Sequence, residues 1–371
     1  MPSPYMNRAL ALAKRGLGST SPNPMVGAVI VDPTGRTVAE GFHKKAGGPH
    51  AEANALKKAG EAARGATLYV TLEPCNHHGR TPPCTEAILA AGIGRVVVAS
   101  LDPNPHVAGG GVQRLRNAGI PVDVGDGTAE SEALNRPFLT WSRLGRPLIT
   151  LKSAMTLDGK VADRNGLSKY LTSQAALAHA HELRRQHDAI LVGSGTVLAD
   201  DPELTYRGRR RGRDPVRVIL DSRGRTPPEA RVFQSQSTAP TLVFTTEDAS
   251  VDWEREIFSA GGEVVRVETA SDGRVSLDRA MAHLADLQVL SVLVEGGPQI
   301  HGAFLDQRMA DRWVGYLAPL IMGGAEAPSP AAGRGFTLPE ARHLDIASVV
   351  KRGPDVIVDA WFHEVLERET R

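Results

Sequence analysis

Pro74-Cys75 and Pro83-Cys84, with Pro49-His50-Ala51-Glu52 ahead of them, decide the fold of the first half of this sequence. The chain has 2 cysteines. Two cysteines alone in a long chain without a visible secretory signal are more typical of metal binding or redox chemistry than of a structural disulfide. The stretch Pro49-His50-Ala51-Glu52 opens a predicted helix, and Pro74-Cys75 follows a predicted strand. Pro83-Cys84 opens the next helix, because proline is favoured in a first helical turn.

One histidine and two cysteines match the ligand set of an open zinc site. Zinc prefers thiolate and imidazole ligands in a tetrahedral array, and a catalytic site leaves the fourth position to water. We therefore predict His50, Cys75 and Cys84 as ligands, with thiolates stabilised by the metal and by helix N-terminal dipoles. Glu52 is the predicted proton carrier, the role of the glutamate in the H-x-E pattern of zinc deaminases.

Other interpretations of these residues stay open at this point. Two buried cysteines can simply pack as small hydrophobes, and a histidine two residues before a glutamate has little specificity alone. The proline before each cysteine and the helix start at His50 favour the metal site. His43, His77 and His78 are rival ligands, but His77 and His78 lie between the cysteines, where substrate contact or a loop role is favoured.

Length and composition indicate a globular protein of two domains. At 371 residues the chain exceeds the usual size of one core. A linker at Gly145-Arg146-Pro147 divides it into 1–145 and 146–371. The formal net charge of +1 creates no global field for nucleic acid or anionic membrane. No run approaches the ~20 apolar residues that span a bilayer, so we expect a cytoplasmic protein without nucleic-acid or membrane partners.

Alternating strands and helices predict α/β layers in both halves. In the first half, strands are predicted at 26–31, 37–42, 68–72 and 96–100, with helices at 4–16, 51–63, 85–91 and 111–118. In the second half, strands are predicted at 148–154, 189–192, 216–220, 241–244, 263–267 and 289–295, with helices at 173–186 and 299–305. A final hairpin over 349–362 turns at Gly353-Pro354-Asp355.

The first half resembles the bifunctional deaminase/reductase of bacterial riboflavin biosynthesis. Eight residues separate the cysteines, whereas many zinc deaminases have two, and this long loop is distinctive of the family. The matching segments are Pro22–Gly27, Gly47–Glu52, Thr71–Cys84, Asp102–Pro105 and Val107–Gly111. The resemblance implies a cytidine-deaminase-like, three-layer α/β/α domain. It also implies a diaminopyrimidinone substrate with a phosphoribosylamino group, whose ring 2-amino group is replaced by oxygen.

The same resemblance implies substrate contacts in the first domain. Asn23 is expected to contact the pyrimidine, with His43 nearby as a weaker candidate. His77 and Arg80, in the loop between the cysteines, are expected to bind the ribose phosphate. Arg80 stands where relatives can carry lysine, and either cation holds a phosphate, although with different geometry.

The second half contains a candidate phosphate cradle but no ordinary Rossmann fingerprint. No G-x-G-x-x-G opens a βαβ unit, and Gly193-Ser194-Gly195-Thr196 fits neither that motif nor a P-loop. A strand ends at Gly296-Gly297-Pro298 before a predicted helix. Glycines admit an anion and a helix start offers free N–H groups, but a structural turn explains this element equally well.

The second half resembles the reductase domain of the same family, which implies a dihydrofolate-reductase-like α/β fold and NADPH. The matching segments are Leu151–Lys160, Thr196–Pro202, Leu220–Ser222 and Val294–Pro298. The expected cofactor contacts are Ala154, Tyr170, Thr196, Asp200, Ser222, Gly297, Pro298, Gln299, Ile300, His301, Gly302 and Ala303. The expected substrate contacts are Lys152, Ser168, Arg184, Leu204, Arg207 and Glu295.

Some details of the second half depart from the family or stay open. Thr156 stands where serine is frequent, and Tyr170 where another aromatic is frequent. Arg184 and Arg207 suit a phosphate, because guanidinium binds phosphate through two hydrogen bonds. The rest of Arg207–Arg213 is interpreted as a solvated loop. Arg223 or Arg225 is a weaker candidate for the 2′-phosphate of the cofactor.

The leading functional hypothesis is the two-step riboflavin enzyme, with Zn²⁺ and NADPH as cofactors. The nearest rival is a zinc deaminase of another base or nucleoside with a second domain that only binds. A third hypothesis is a binding module that zinc stabilises. This hypothesis does not explain why Glu52 lies beside a zinc site with an open fourth position. Family resemblance favours a homo-oligomer, a dimer or a tetramer.

Overall fold

A computed structural model describes residues 1–77, 82–104, 110–168, 171–208 and 212–363. The chain divides into two compact units, Met1–Arg146 and Pro147–Arg371. The division falls within the Gly145-Arg146-Pro147 segment. None of the helices in the described ranges is long and apolar enough to cross a membrane.

The first unit is one five-stranded sheet between two layers of helices. Its strands, in sheet order β2-β1-β3-β4-β5, are β1 (Gly27–Val31), β2 (Thr37–Phe42), β3 (Thr67–Leu72), β4 (Arg95–Ser100) and β5 (Val122–Val124). Its helices are α1 (Pro4–Ala13), α2 (Ala51–Ala59), α3 (Cys84–Ala90), α4 (Gly110–Asn117) and α5 (Thr128–Leu144).

Strand residues of the first unit alternate between two cores, since successive side chains point to opposite faces of a sheet. Ala28 and Ile30 pack with α2, α3 and α4, whereas Val29 and Val31 pack with α1. The sheet therefore has helices on both faces, as in the predicted three-layer arrangement. Helix α5 was not predicted, partly because Pro137 lies inside it, at a kink next to the non-helical Asn135.

The second unit is a nine-stranded sheet in the order β10-β9-β8-β7-β11-β6-β12-β14-β13. The strands are β6 (Leu148–Thr156), β7 (Ala189–Gly193), β8 (Val216–Leu220), β9 (Thr241–Thr245), β10 (Glu263–Arg266), β11 (Ser291–Val294), β12 (Arg312–Ala318), β13 (Leu344–Arg352) and β14 (Asp355–Phe362). Neighbouring strands from β10 to β12 pair in parallel, and β14 and β13 complete the sheet in antiparallel pairs.

Helices cover both faces of this second sheet. They are α6 (Gln174–Gln186), α7 (Ser194–Asp200), α8 (Arg231–Gln234), α9 (Val251–Ser259), α10 (Leu277–Asp286) and α11 (Pro298–Asp306). Parallel strands buried on both faces are near-continuous apolar runs, and β7 and β9 are fully buried. This explains why most strands were predicted within a residue or two. Strand β12 was missed, and the predicted strand 289–295 is shorter, at Ser291–Val294.

Candidate functional site

Three side chains from two helix starts and one strand end meet in the first unit. His50 is the residue before α2, Cys75 follows β3, and Cys84 is the first residue of α3. His50 Nδ1 lies 3.5 Å from Cys75 Sγ and 3.3 Å from Cys84 Sγ. Tetrahedral zinc with ordinary bond lengths would separate N and S by about 3.6 Å. The three ligand atoms lie within 4.8 Å of one another, so this arrangement fits a zinc ion.

The surroundings of the two sulfurs favour the thiolate at Cys75 and disfavour it at Cys84. The Cys84 backbone N–H donates to Cys75 Sγ at 3.4 Å. Hydrogen bonds from the Cys84 side chain and from His50 lower the pKa of Cys75, although burial opposes them. The pKa of Cys84 is raised, first by its hydrogen bond to Cys75 and then by burial. A cation held between the sulfurs would stabilise both thiolates.

Glu52 lies in the first turn of α2 and is only 3% exposed. Burial raises the pKa of this carboxyl, and the charge of Cys75 adds to the rise. A carboxyl with a raised pKa next to the ligands is suited to accept and return a proton. The structure therefore brings Glu52 together with the three predicted ligands.

Glu73 anchors the segment that carries Cys75, a role that the sequence alone did not reveal. Glu73 Oε1 accepts hydrogen bonds from the N–H groups of Gly111 and Val112, both at 2.9 Å, at the start of α4. Its other oxygen accepts from the Asp102 N–H at 3.2 Å. The one available signal was a glutamate directly before Pro74-Cys75. This buried carboxylate ties the metal-binding segment to α4.

Gly111 gives a test of this anchoring. A Cβ at Gly111 would lie 1.9 Å from Pro74 O, whereas a Cβ at Gly110 would meet no atom within 4 Å. Gly111→Ala is expected to displace Pro74-Cys75 and weaken zinc affinity by about 10- to 100-fold, the usual cost of disturbing groups behind the ligands. Competition with a chromogenic chelator measures the affinity. The control Gly110→Ala should retain zinc, and equal affinity in both variants would contradict the anchoring.

His43 is not among the clustered ligand atoms of the described residues and instead holds Asn23. His43 Nδ1 lies 3.1 Å from Pro49 O, which can only accept, so this nitrogen carries the proton. His43 Nε2 therefore accepts from Asn23 Nδ2, at 3.1 Å. Burial lowers the pKa of His43 and favours this neutral form. His77 is exposed, while Arg80 and His78 lie outside the described residues.

The second unit contains a cavity of about 830 Å³ at the carboxyl ends of its parallel strands. Most of the predicted cofactor contacts line it: Ala154, Thr196, Asp200, Ser222, Gly297, Pro298, Gln299, Ile300, His301 and Ala303. Lys152, Ser168 and Glu295, predicted as substrate contacts, line it too. Gly302 faces the other way, since a Cβ there would lie 1.9 Å from Ala332 O. Tyr170 lies outside the described residues.

Two residues predicted to bind substrate form a buried ion pair. The Nε and Nη2 groups of Arg184 donate to the two carboxylate oxygens of Glu295, each at 2.7 Å, and Nη1 donates to Thr205 O. Burial alone would raise the pKa of Glu295, but Arg184 and then Lys152 lower it to about 2. Much of the Arg184 guanidinium is therefore committed to protein, and its contact with a substrate phosphate stays a prediction.

Arg207 and His181 form a second polar group near this pair. The Arg207 N–H donates to His181 Nδ1 at 3.3 Å, and its guanidinium donates to Glu203 and Thr205. Burial and the charges of Arg184 and Arg207 lower the pKa of His181 to about 4. His181 is therefore neutral near pH 7 and was missed from the sequence. Leu204, the remaining predicted substrate contact, is 2% exposed and packs in a core.

Three arginines line one region of the cavity wall. Arg223 and Arg225 follow β8, as predicted, and Arg274 joins them from the segment before α10. Arg225 donates to Ser194 Oγ at 2.9 Å. Their positive charge suits an anionic group of a ligand, and the assignment of Arg223 or Arg225 to a 2′-phosphate stays a prediction.

Comparisons with known families match both units. Residues 2–100 match the family of the cytidine and deoxycytidylate deaminase zinc-binding region, and residues 147–358 match the RibD C-terminal domain. The riboflavin biosynthesis protein RibD of Bacillus amyloliquefaciens is 44% identical over 357 residues, 96% of this chain and 95% of that protein. RibD of Escherichia coli (strain K12) is 42% identical over an alignment 380 positions long, which covers 95% of this chain and 97% of that protein.

Solved structures agree with these matches. Acinetobacter baumannii RibD superposes with a TM-score of 0.87 at 38% identity, covering 96% of this chain and 98% of that one. A diaminohydroxyphosphoribosylaminopyrimidine deaminase/5-amino-6-(5-phosphoribosylamino)uracil reductase from Thermotoga maritima has a TM-score of 0.84 at 40% identity, covering 96% and 97%. The predicted fold class, a cytidine-deaminase-like domain followed by a dihydrofolate-reductase-like domain, is confirmed.

Proposed function

Because this chain belongs to the RibD family of bifunctional riboflavin-biosynthesis enzymes, we propose that its first unit deaminates a phosphoribosylaminopyrimidine and its second reduces the product. The substrate proposed for the first step is the diaminopyrimidinone that carries a phosphoribosylamino group. The observation that carries the first step is the His50, Cys75 and Cys84 cluster with buried Glu52 beside it. The cavity of the second unit supports the reductase step.

The residues of the first unit have separate tasks in the deamination. His50, Cys75 and Cys84 would hold the zinc ion, which when bound would supply Lewis acidity for activating the attacking water near neutral pH. Glu52 takes a first proton from the attacking water and passes it to the ring nitrogen. It then takes a second proton from the hydroxyl left on the ring carbon and passes it to the amino group, which leaves as ammonia. The contact of Asn23 Nδ2 with His43 orients the amide, and Asn23 Oδ1 accepts no hydrogen bond from the described residues. This oxygen can accept from an amino group of the pyrimidine.

For the second step, the proposed substrate is the opened or imine form of the ribosyl group, bound in the cavity of the second unit. The proposed cofactor is NADPH, which when bound would supply the hydride for reduction of this group to a ribityl chain. Thr196 and the Gly297–Ala303 segment lie at helix starts, where free N–H groups favour cofactor phosphates. Lys152 lines the cavity and would donate to an oxygen of the ribosyl chain. The expected homo-oligomer and cytoplasmic location stay predictions.

A substrate panel tests this function against the rival zinc deaminase of another base. Zinc-loaded protein would receive the diaminopyrimidinone phosphate, cytidine or dCMP, without NADPH, and ammonia release would be measured. We expect release from the first compound only. Release from cytidine or dCMP, with none from the diaminopyrimidinone phosphate, would favour the rival and refute the proposal.

A further inference from the structure

Lys152 is a cavity-facing cation with few direct partners. It lies in the middle of β6, opposite Val314 of β12, and its side chain lines the cavity. Within the described residues, Lys152 Nζ has no hydrogen-bond partner, and its close electrostatic neighbours are charges and one aromatic ring. Burial disfavours the charged form of a lysine, and it lowers the pKa of Lys152.

The charged and titratable groups around Lys152 come from several elements. Glu295, just after β11, favours the ammonium, whereas Arg184 of α6 opposes it. His181 of α6 and His301 of α11 also interact with the Lys152 charge. Both histidines have lowered pKa values, chiefly through burial, and therefore add no positive charge near pH 7. Both carboxylate oxygens of Glu295 accept from Arg184, so Glu295 is not a counter-charge for Lys152 alone.

Tyr316 supplies an aromatic face next to this ammonium. Lys152 pairs with Val314, and Tyr316 is two residues further along β12, so both side chains lie on the same face of the sheet. Lys152 Nζ lies 5.4 Å from the centroid of the Tyr316 ring. Cations within about 6 Å of a ring centroid are attracted by the ring quadrupole, and the attraction is stronger when the pair is desolvated.

The Tyr316 ring is fixed in this place. It is 1% exposed, and its hydroxyl is joined to His179 Nδ1 by a hydrogen bond of 2.9 Å. The His179 ring meets it edge-on, with centroids 5.7 Å apart. Burial raises the pKa of Tyr316, so its hydroxyl stays protonated in the working range of pH. A ring held this firmly fixes the direction in which the Lys152 ammonium is stabilised.

We propose that Tyr316 is a positioning residue for the reductase step, whose ring face keeps the Lys152 ammonium protonated and directed into the cavity. The proposal rests on the reductase function proposed above. If the Tyr316 ring only fills the core, an electron-poor ring of the same shape should replace it without effect on Lys152. If the ring positions Lys152, that replacement should weaken the interaction, because fluorination weakens the ring quadrupole while changing ring size little.

The test replaces Tyr316 by phenylalanine, 4-fluorophenylalanine and 3,4,5-trifluorophenylalanine in the full-length, zinc-loaded chain. All three lack the hydroxyl, so they differ mainly in the strength of the ring quadrupole. Titration of ¹³Cε-lysine-labelled protein by NMR, with Lys152→Met to assign the resonance, gives the pKa of Lys152. From phenylalanine to the trifluoro ring we expect this pKa to fall by about 0.5 to 1, with the monofluoro ring between them. The same trifluoro ring at buried Phe304 controls for effects of fluorine on stability.

Reductase kinetics supply the second readout. If Lys152 acts as an ammonium, the alkaline limb of kcat/KM for NADPH oxidation moves to lower pH with each added fluorine. An unchanged pKa of Lys152 across the series overturns the proposal, as does a falling pKa with a fixed kinetic limb. The NMR titration needs no turnover. A protein that lacked reductase activity altogether would therefore be recognised separately, as a failure of the proposed function.

Discussion

Glu52→Gln is expected to slow deamination by about 10²- to 10⁴-fold, the usual contribution of a positioned acid–base group. Glutamine keeps the size of the buried side chain but can no longer accept and return the proton. Glu52 is not one of the three clustered ligands, so zinc content should stay unchanged. Ammonia release under substrate saturation and metal analysis of the same sample measure the two quantities.

The reductase unit provides the internal control for this variant. Glu52 lies in the first compact unit, and the cavity lined by most of the predicted cofactor contacts lies in the second. Reduction of supplied deaminated intermediate by NADPH should therefore proceed at the unaltered rate. Loss of zinc in Glu52→Gln, or an unchanged rate of deamination, would refute the role given to this carboxylate.

Glu295→Gln is expected to lower the free energy of unfolding by about 3–5 kcal/mol, because it leaves the buried Arg184 guanidinium without a counter-charge. The side chains of the pair are only 13% and 10% exposed, and both carboxylate oxygens are used. Denaturant unfolding measures the loss. The exposed pair Arg95–Asp123 is the control, for which Asp123→Asn should change stability by no more than about 1 kcal/mol.

The double variant Arg184→Met with Glu295→Gln separates pairing from packing. Methionine removes the isolated charge while filling much of the same volume, so the double variant should regain most of the stability lost in Glu295→Gln. If the double variant is as unstable as the sum of the single variants, the pair contributes through packing rather than charge, and the electrostatic account is wrong.

The same pair gives the protein an acid-sensitive contribution to stability. The pKa of Glu295 is lowered from 4.5 to about 2 in the folded chain. A carboxyl with a lowered folded-state pKa stabilises the fold fully above its unfolded pKa and loses that contribution as pH falls. The Glu295 contribution should therefore decline between about pH 4.5 and pH 2. Glu295→Gln should flatten the pH dependence of unfolding in this range.

The metal site could be predicted because each of its residues has a local sequence signal. His50 and Cys84 lie at helix starts and Cys75 at a strand end, so short segments fix all three positions. Glu73 had only its place before Pro74-Cys75 as a signal, because its partners lie at Asp102, Gly111 and Val112. Such contacts depend on where α4 packs, which residue types alone do not specify.

The reductase cavity could be predicted only in part. Gly296-Gly297-Pro298 carries a local signal, but Lys152 and Tyr316 meet through pairing of β6 with β12, and β12 was not predicted. Arg184 was predicted as a substrate contact from the family resemblance, and as a phosphate partner from guanidinium chemistry, whereas its pairing with Glu295 is a tertiary contact. Contacts between residues more than 100 positions apart require the order of strands, which the sequence pattern did not supply.

The most direct test of two consecutive activities on one chain is a single time course with purified, zinc-loaded protein. The diaminopyrimidinone phosphate is added first, and ammonia is measured until release stops. NADPH is then added, and its oxidation is followed by absorbance. The account predicts ammonia release before NADPH is present, followed by about one NADPH oxidised per ammonia released. NADPH oxidation without prior ammonia release, or no ammonia release at all, would contradict it.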